Sequence, residues 1–344
     1  MPAQPAARLV LRADGNSRIG LGHVVRLLAL ADMVRGAFAE TLFAAQQPPQ
    51  IVRQLIAEAG LPMLELPEQP AAAEAQLLAA RLSARDVLVL DGYDFQTTYQ
   101  LAVRASGCRL AVVDDLRAWP TAADLLINHA PGIAPTDYEE LASTRYCLGP
   151  EYSLLRRQFR QSLQLPAPVP HIESVLLCFG GADPERLTHR CLVALLGMSQ
   201  VRQIGVVLGG AFAYEADLHE LTRGQDTNRV RYHRSASAEQ MLALYQTHDA
   251  VVCPASTVLL EALLLGRAAV TGYYVDNQRH LAEYVQAHRQ AYSVGDFSRL
   301  SSGELARELG QGFRFHESQL RQPYVTALAP AQLRAEFARL AAPR

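Results

Sequence analysis

Short apolar runs and segments of helical period alternate along most of the chain. In the first half, runs at 8–12, 41–45, 62–66, 86–91, 109–114 and 124–128 read as strands. Between them, 23–35, 48–59, 72–83 and 95–106 carry the spacing of amphipathic helices. The rhythm restarts at Ser174–Phe179 and continues through 203–208, 229–233, 249–252, 268–271 and 291–294. Strands spaced this way, with a helix in the gaps, predict right-handed βαβ crossovers around a parallel sheet. Pro166-Ala167-Pro168-Val169-Pro170 between the halves is a stiff, extended stretch. The pattern predicts an α/β protein of two Rossmann-like parallel-sheet domains facing a cleft. Their expected bounds are 1–165, a linker at 166–172, and 173–300. A helical tail at 301–344 is expected to pack back on the first domain. Ligands of such sheets sit at the carboxyl ends of the strands, so the chemistry is sought there.

The first strand runs through Arg12-Ala13-Asp14 into Gly20-Leu21-Gly22-His23, where a helix opens. Val24, Leu27, Leu28, Ala31 and Val34 form its apolar stripe, with Arg26 and Arg35 off it. Gly20 and Gly22 let backbone approach a ligand closely. The first N–H groups of the helix favour an anion, and His23 exchanges a proton near neutral pH. A tight strand-to-helix turn with no ligand reads equally well from the loop alone. In the second half, Phe179-Gly180-Gly181-Ala182-Asp183-Pro184 follows a strand, with Asp183 placed to cap the next helix and Pro184 at its first position. Cys253-Pro254-Ala255-Ser256-Thr257 follows another, and Ser256 is placed to cap a largely apolar helix. Glu261 lies one turn beyond Thr257 and needs a partner if buried, either a ribose diol or Arg267. Asn277, in Tyr273-Tyr274-Val275-Asp276-Asn277-Gln278, either binds a sugar or phosphate or caps a helix.

Composition narrows the chemistry. None of the 344 residues is a lysine, so all 32 basic residues are arginines. That excludes Schiff-base enzymes, pyridoxal phosphate enzymes and a Walker phosphate loop. Val25 stands where a dinucleotide fingerprint needs its third glycine, which argues against a nicotinamide or flavin cofactor. A net charge of −2 argues against broad nucleic-acid binding. No apolar run approaches the roughly 18 residues of a membrane span, and the first residues do not resemble a signal peptide. Five scattered cysteines without a C-x-x-C pair read as reduced and buried, hence a cytoplasmic protein. Ten histidines form no H-x-x-x-H pair, and no metal is expected. Without a long exposed apolar helix, a monomer is expected.

The ordered set Arg12, Asp14, Gly20, Gly22, His23 and Arg26, then Asp114-Asp115, Gly149–Arg156 with Phe159, Phe179–Asp183, Ser256-Thr257 with Glu261-Ala262-Leu263, and Asn277-Gln278 resembles the PseG family. These are UDP-2,4-diacetamido-2,4,6-trideoxy-β-L-altropyranose hydrolases of pseudaminic acid, a nonulosonic acid, biosynthesis. The likeness runs from about Arg8 to about Val285. It implies the two-domain GT-B fold and a UDP-sugar substrate held without metal or cofactor. His23 matches the base that activates water at the anomeric carbon, Asn277 an active-site asparagine, Glu261 a ribose-binding glutamate, and Tyr93 a tyrosine in the cleft. Tyr93 reads equally as a half-buried tyrosine after a strand. Asp14 would orient His23 or hold the sugar, or only cap a turn. Gly20, Gly22, Arg12, Gly180, Gly181, Ser256, Thr257 and Gln278 complete the expected substrate contacts. Pro254 and Asp94-Phe95 depart from the pattern, and the C-terminal tail is longer than the simplest members need. A GT-B glycosyltransferase with an unidentified acceptor, and a non-catalytic nucleotide-sugar binder, use the same pocket and remain open.

Overall fold

The computed structural model describes residues 7–16, 19–183, 185–210, 212–224 and 229–342. The chain forms two compact units, one of Met1–Arg157 with Ala327–Arg344 and the other of Gln158–Thr326. The first holds a sheet of β1 (Arg8–Ala13), β2 (Glu40–Gln46), β3 (Met63–Leu66), β4 (Asp86–Asp91), β5 (Arg109–Val113), β6 (Leu125–Asn128) and β7 (Arg145–Leu148). Its order is β3-β2-β1-β4-β5-β6-β7, with every pairing parallel. The second unit has β8 (Ser174–Cys178), β9 (Gln203–Leu208), β10 (Val230–Arg234), β11 (Ala250–Val252), β12 (Ala268–Tyr273) and β13 (Tyr292–Asp296). Its order, β10-β9-β8-β11-β12-β13, is again wholly parallel. Both sheets start in the middle and reverse direction once, between β1 and β4 and between β8 and β11. Such a reversal opens a crevice at the carboxyl ends of the two strands flanking it.

Strand periodicity decides which side chains reach that crevice. Leu9, Leu11 and Ala13 of β1 face the core shared with Val24, Leu27 and Leu30 of helix Gly22–Met33. Val10 faces the other layer, with Leu78, Tyr99 and Val103 from helices Ala71–Ala79 and Thr97–Arg104. Arg12 has the parity of Val10 and so points away from the helix that carries His23.

Each expected strand is present, and β7 is an addition. Its residues, Arg145-Tyr146-Cys147-Leu148, lack the apolar run of the other strands, only Cys147 being buried, and gain order by pairing with β6 at the sheet edge. The proline-rich stretch lies inside the second unit rather than ahead of it. Gln164 N donates to Leu264 O, Arg267 Nη2 to Gln164 Oε1, and Arg321 Nη2 to Ala167 O. The tail is likewise divided. Helix Ser302–Ser318 buries Leu305, Leu309 and Phe313 in the second unit's core. Helix Pro330–Ala341 buries Leu333, Phe337 and Leu340 in the first. The five cysteines are free and buried, and among the described residues no helix is long and apolar enough to cross a membrane.

Phe337→Ala empties the centre of the contact made by the last helix. It is expected to lower the unfolding free energy by about 3–5 kcal/mol in a denaturant titration. His316 gives a pH signature. It is buried, its Nε2 faces Ala269 O at 2.8 Å, and burial pulls it down to about 3. The unfolded chain therefore takes up this proton first, and stability that is full above pH 6.5 falls as pH drops towards 3. Between pH 6.5 and 5 this group should remove about 2 kcal/mol. His316→Gln should flatten that part of the stability profile, measured by urea unfolding at a series of pH values.

Candidate active site

The carboxyl ends of β1, β4, β5 and β6 carry a buried cluster of ionisable groups. Asp91 is the last residue of β4 and sits in register with Ala13, the last residue of β1. His23 and Arg26, three residues apart, share one side of the first turn of helix Gly22–Met33. His23 Nδ1 lies 2.7 Å from Asp91 Oδ1, and Arg26 donates to both oxygens of Asp91, from Nε at 3.0 Å and from Nη2 at 2.6 Å. Arg26 Nη1 also reaches both oxygens of Asp115, at 2.8 and 2.7 Å. One guanidinium thus bridges the carboxylate that ends β4 and one that follows β5.

The network sets the tautomer of His23. Its Nδ1 is also 2.9 Å from Arg26 Nη2, but a guanidinium only donates and an ionised carboxylate only accepts. The assignment that satisfies all three groups has His23 Nδ1–H and Arg26 Nη2–H both donating to Asp91 Oδ1. In the neutral imidazole this puts the lone pair on Nε2, as in the Asp-oriented histidines of hydrolytic triads. Burial opposes the charges of Arg26 and Asp115, yet they stabilise each other. Arg26 is raised by Asp115 and Asp91, and Asp115 is held down at about 2 by Arg26, His129 and His23. His129, just past β6, is pulled down to about 4 by burial and then by Arg26, and its buried Nδ1 has no hydrogen-bond partner. At neutral pH, then, Asp115 is a carboxylate, Arg26 a guanidinium and His129 neutral.

A cavity of about 30 Å³ opens beside these groups, lined by His23, Asp91, Tyr93, Asp115, Leu116 and Trp119 among others. It has room for a water molecule or two. The Tyr93 ring meets the His23 ring edge-on, with centroids 4.7 Å apart and planes at 84°. Gly20 closes the loop before the helix. Asn16 and Gly20 exchange both backbone hydrogen bonds, and Gly20 adopts φ +76°, where a side chain would be strained. Gly22 opens the helix one residue before His23.

Two expected site residues are engaged elsewhere. Arg12 is 2% exposed and pairs with Glu74 through two hydrogen bonds, 2.8 and 2.7 Å, while lying 5.2 Å over the Phe95 ring. Tyr99 Oη donates to the same Glu74 at 2.6 Å. Asp14 pairs with Arg12 Nη1 and accepts from Gln46 N, both at 2.7 Å, so the carboxylate that holds His23 is Asp91 and not Asp14. Arg26, expected off the apolar stripe, is buried because it faces the two carboxylates rather than solvent. Sequence inspection missed Asp91 and His129 as site residues. The available signal was common position: Asp91, Asp114-Asp115 and His129 each end, or closely follow, successive apolar strands.

The second unit places its expected residues at the ends of β8, β11 and β12. Gly180 adopts φ +84°, and a Cβ at Gly180 or Gly181 would meet only open space. Asp183 is not the N-cap residue expected: helix Leu187–Leu196 opens three residues later, after Arg186, and Asp183 reaches forward to accept from Leu187 N at 2.8 Å and Thr188 N at 2.7 Å; Pro184 lies outside the described residues. Ser256 precedes helix Thr257–Leu264 and makes no side-chain cap, so the first turn has no side chain on its N–H groups. Glu261 is buried and accepts from Tyr245 Oη at 3.2 Å, while Arg267 turns to Leu265 O and Gln164. Asn277 is exposed in the first turn of helix Asp276–Ala287, which Val275 precedes as cap. Gln278 folds back, its Oε1 accepting from Tyr274 N at 3.2 Å.

No known protein-family profile matches the chain. It is 25% identical over 281 residues to an uncharacterised protein of Methanocaldococcus jannaschii, a match covering 79% of this chain and 57% of that one. The chain thus spans little more than half of that relative. It is 23% identical over 291 residues to the UDP-2,4-diacetamido-2,4,6-trideoxy-beta-L-altropyranose hydrolase of Campylobacter jejuni, covering 83% of this chain and 98% of that enzyme. The spore coat polysaccharide biosynthesis protein SpsG of Bacillus subtilis is 19% identical over 82% of each chain. Among solved structures, Acinetobacter baumannii MurG superposes with TM-score 0.60 at 17% identity, over 97% of this chain and 94% of that one. Anabaena HepE, solved with UDP and glucose, gives 0.59 at 16% identity over 97% and 98%. With its two parallel-sheet α/β units, the chain has the GT-B fold.

If Arg12 serves packing, removing its partner should register in stability. Glu74→Ala leaves a buried guanidinium facing Asp14 alone and is expected to cost about 3–5 kcal/mol, measured by chemical denaturation.

Proposed function

We propose that the chain is a UDP-sugar hydrolase that cleaves the bond between UDP and a 2,4-diacetamido-2,4,6-trideoxy sugar in nonulosonate synthesis. The observation that carries the reading is the 2.7 Å contact between His23 Nδ1 and the buried Asp91, braced by Arg26. It leaves His23 Nε2 as a fixed base beside a cavity of water size. Likeness to the Campylobacter jejuni hydrolase across 98% of that enzyme supports the substrate class.

The reaction follows from those groups. Nε2 takes a proton from water as the water oxygen bonds to the anomeric carbon. The bond from that carbon to the β-phosphate oxygen breaks, and UDP leaves as an anion. One displacement inverts the anomeric centre. Asp91 keeps the tautomer and stabilises the imidazolium that forms, and Arg26 fixes Asp91. Glycines 180 and 181 and the first turn of helix Thr257–Leu264 suit the diphosphate, since backbone N–H groups can approach it without a side chain in the way. Glu261 and Asn277 are assigned to the nucleoside and the sugar.

The test is UDP release from a panel of UDP-amino sugars in water alone. His23→Ala and Asp91→Asn should each lower kcat by about 10²–10⁴-fold while UDP binding stays within twofold. Release only when an acceptor alcohol is added would replace hydrolysis by glycosyl transfer.

A further inference from the structure

Among the described residues, nine large apolar side chains are exposed, and three of them line the cavity beside His23. They are Tyr93 at 37%, Leu116 at 36% and Trp119 at 41% exposure, contributed by the segments after β4 and β5. Scattered apolar residues need no explanation, but a cluster at the rim of a polar site does. The carboxylates at this rim are already engaged: Asp91 by His23 and Arg26, Asp115 by Arg26, and Asp114 by Leu116 N and Arg117 N. A ligand portion lying here meets rings and a branched aliphatic chain.

We propose that Trp119 and Leu116 form an apolar wall that selects a sugar bearing methyl groups, on a deoxy carbon and on N-acyl substituents, over a polyhydroxylated hexose. This rests on the reading of the site as acting on a UDP-linked sugar. At about 30 Å³ the cavity is of water size and too small for a pyranose, which places the sugar whose anomeric carbon is attacked by that water at the rim. There hydroxyl groups turned to Trp119 and Leu116 would lose hydration with no hydrogen bond from those two side chains in exchange, whereas methyl groups gain burial. Trp119 is thus a specificity residue, distinct from the base and its supports.

Trp119 is the single tryptophan of the chain, so its fluorescence reports on this wall directly. In a His23→Ala background, UDP-2,4-diacetamido-2,4,6-trideoxy-β-L-altropyranose should shift the emission to the blue, and UDP alone should not. By calorimetry, Trp119→Ala should weaken that UDP-sugar about tenfold relative to UDP, with UDP affinity unchanged and Trp119→Phe restoring most of the loss. UDP-N-acetylglucosamine should respond to Trp119→Ala less than threefold. An unchanged ratio, an equal loss for UDP, or an effect confined to acceptor-dependent UDP release would overturn the proposal. Sugar-dependent binding that needs Trp119 without any UDP release in water would sink hydrolysis alone. UDP release indifferent to Trp119, with sugar-dependent binding also unchanged, would sink the wall alone.

Discussion

A buried arginine is tolerated only where its charge is met, and Arg26 is met twice. Its guanidinium spans Asp91 and Asp115, and Asp91 in turn holds His23. The arrangement ties the ends of two neighbouring strands to the first turn of one helix through charge-assisted hydrogen bonds in a site sheltered from water. A histidine on a loop tip would sample many orientations. Here its ring is fixed from behind by a carboxylate that is itself fixed, and from the side by Tyr93. That order of support, with the reactive group held by a residue that has its own anchor, separates a site from a chance meeting of polar residues.

The second unit follows a different economy. Asp183 is spent on a helix start, Gln278 on a turn, and Glu261 meets Tyr245. What its strand ends offer is mainly backbone: glycines at positive φ or without a Cβ in the way, and a helix whose first turn has no side-chain cap. Two units of like topology thus carry unlike chemistry, acid–base groups in one and main-chain donors in the other. The sheet order repeats although the sequence shows no internal repeat.

Most of the architecture was legible because strand spacing and helical period are local properties. Every strand of six or more residues was found, and β7 escaped since its four residues are ordered by a neighbour rather than by their own pattern. The site was legible in part. His23 stood out because a histidine after a glycine turn is a local signal. Its partner did not, since Asp91 comes 68 residues later and Asp14 is nearer in sequence. Parity resolves the difference: Arg12 projects to the layer of Glu74 and Tyr99, and Asp14 turns to Arg12 and Gln46. Domain limits failed at the prolines for a related reason. Stiffness of a segment is visible in composition, whereas the unit it is stitched to depends on hydrogen bonds that Gln164 N donates to Leu264 O and Ala167 O accepts from Arg321.

The last helix gives the first unit a discontinuous chain. Leu333, Phe337 and Leu340 complete a core whose other members lie before residue 158. On a ribosome the second unit is wholly synthesised while the first still lacks these side chains. The first unit cannot close its core until nearly the whole chain is made, and the second depends in the same way on helix Ser302–Ser318, so the head start that vectorial synthesis ordinarily gives an N-terminal domain is lost.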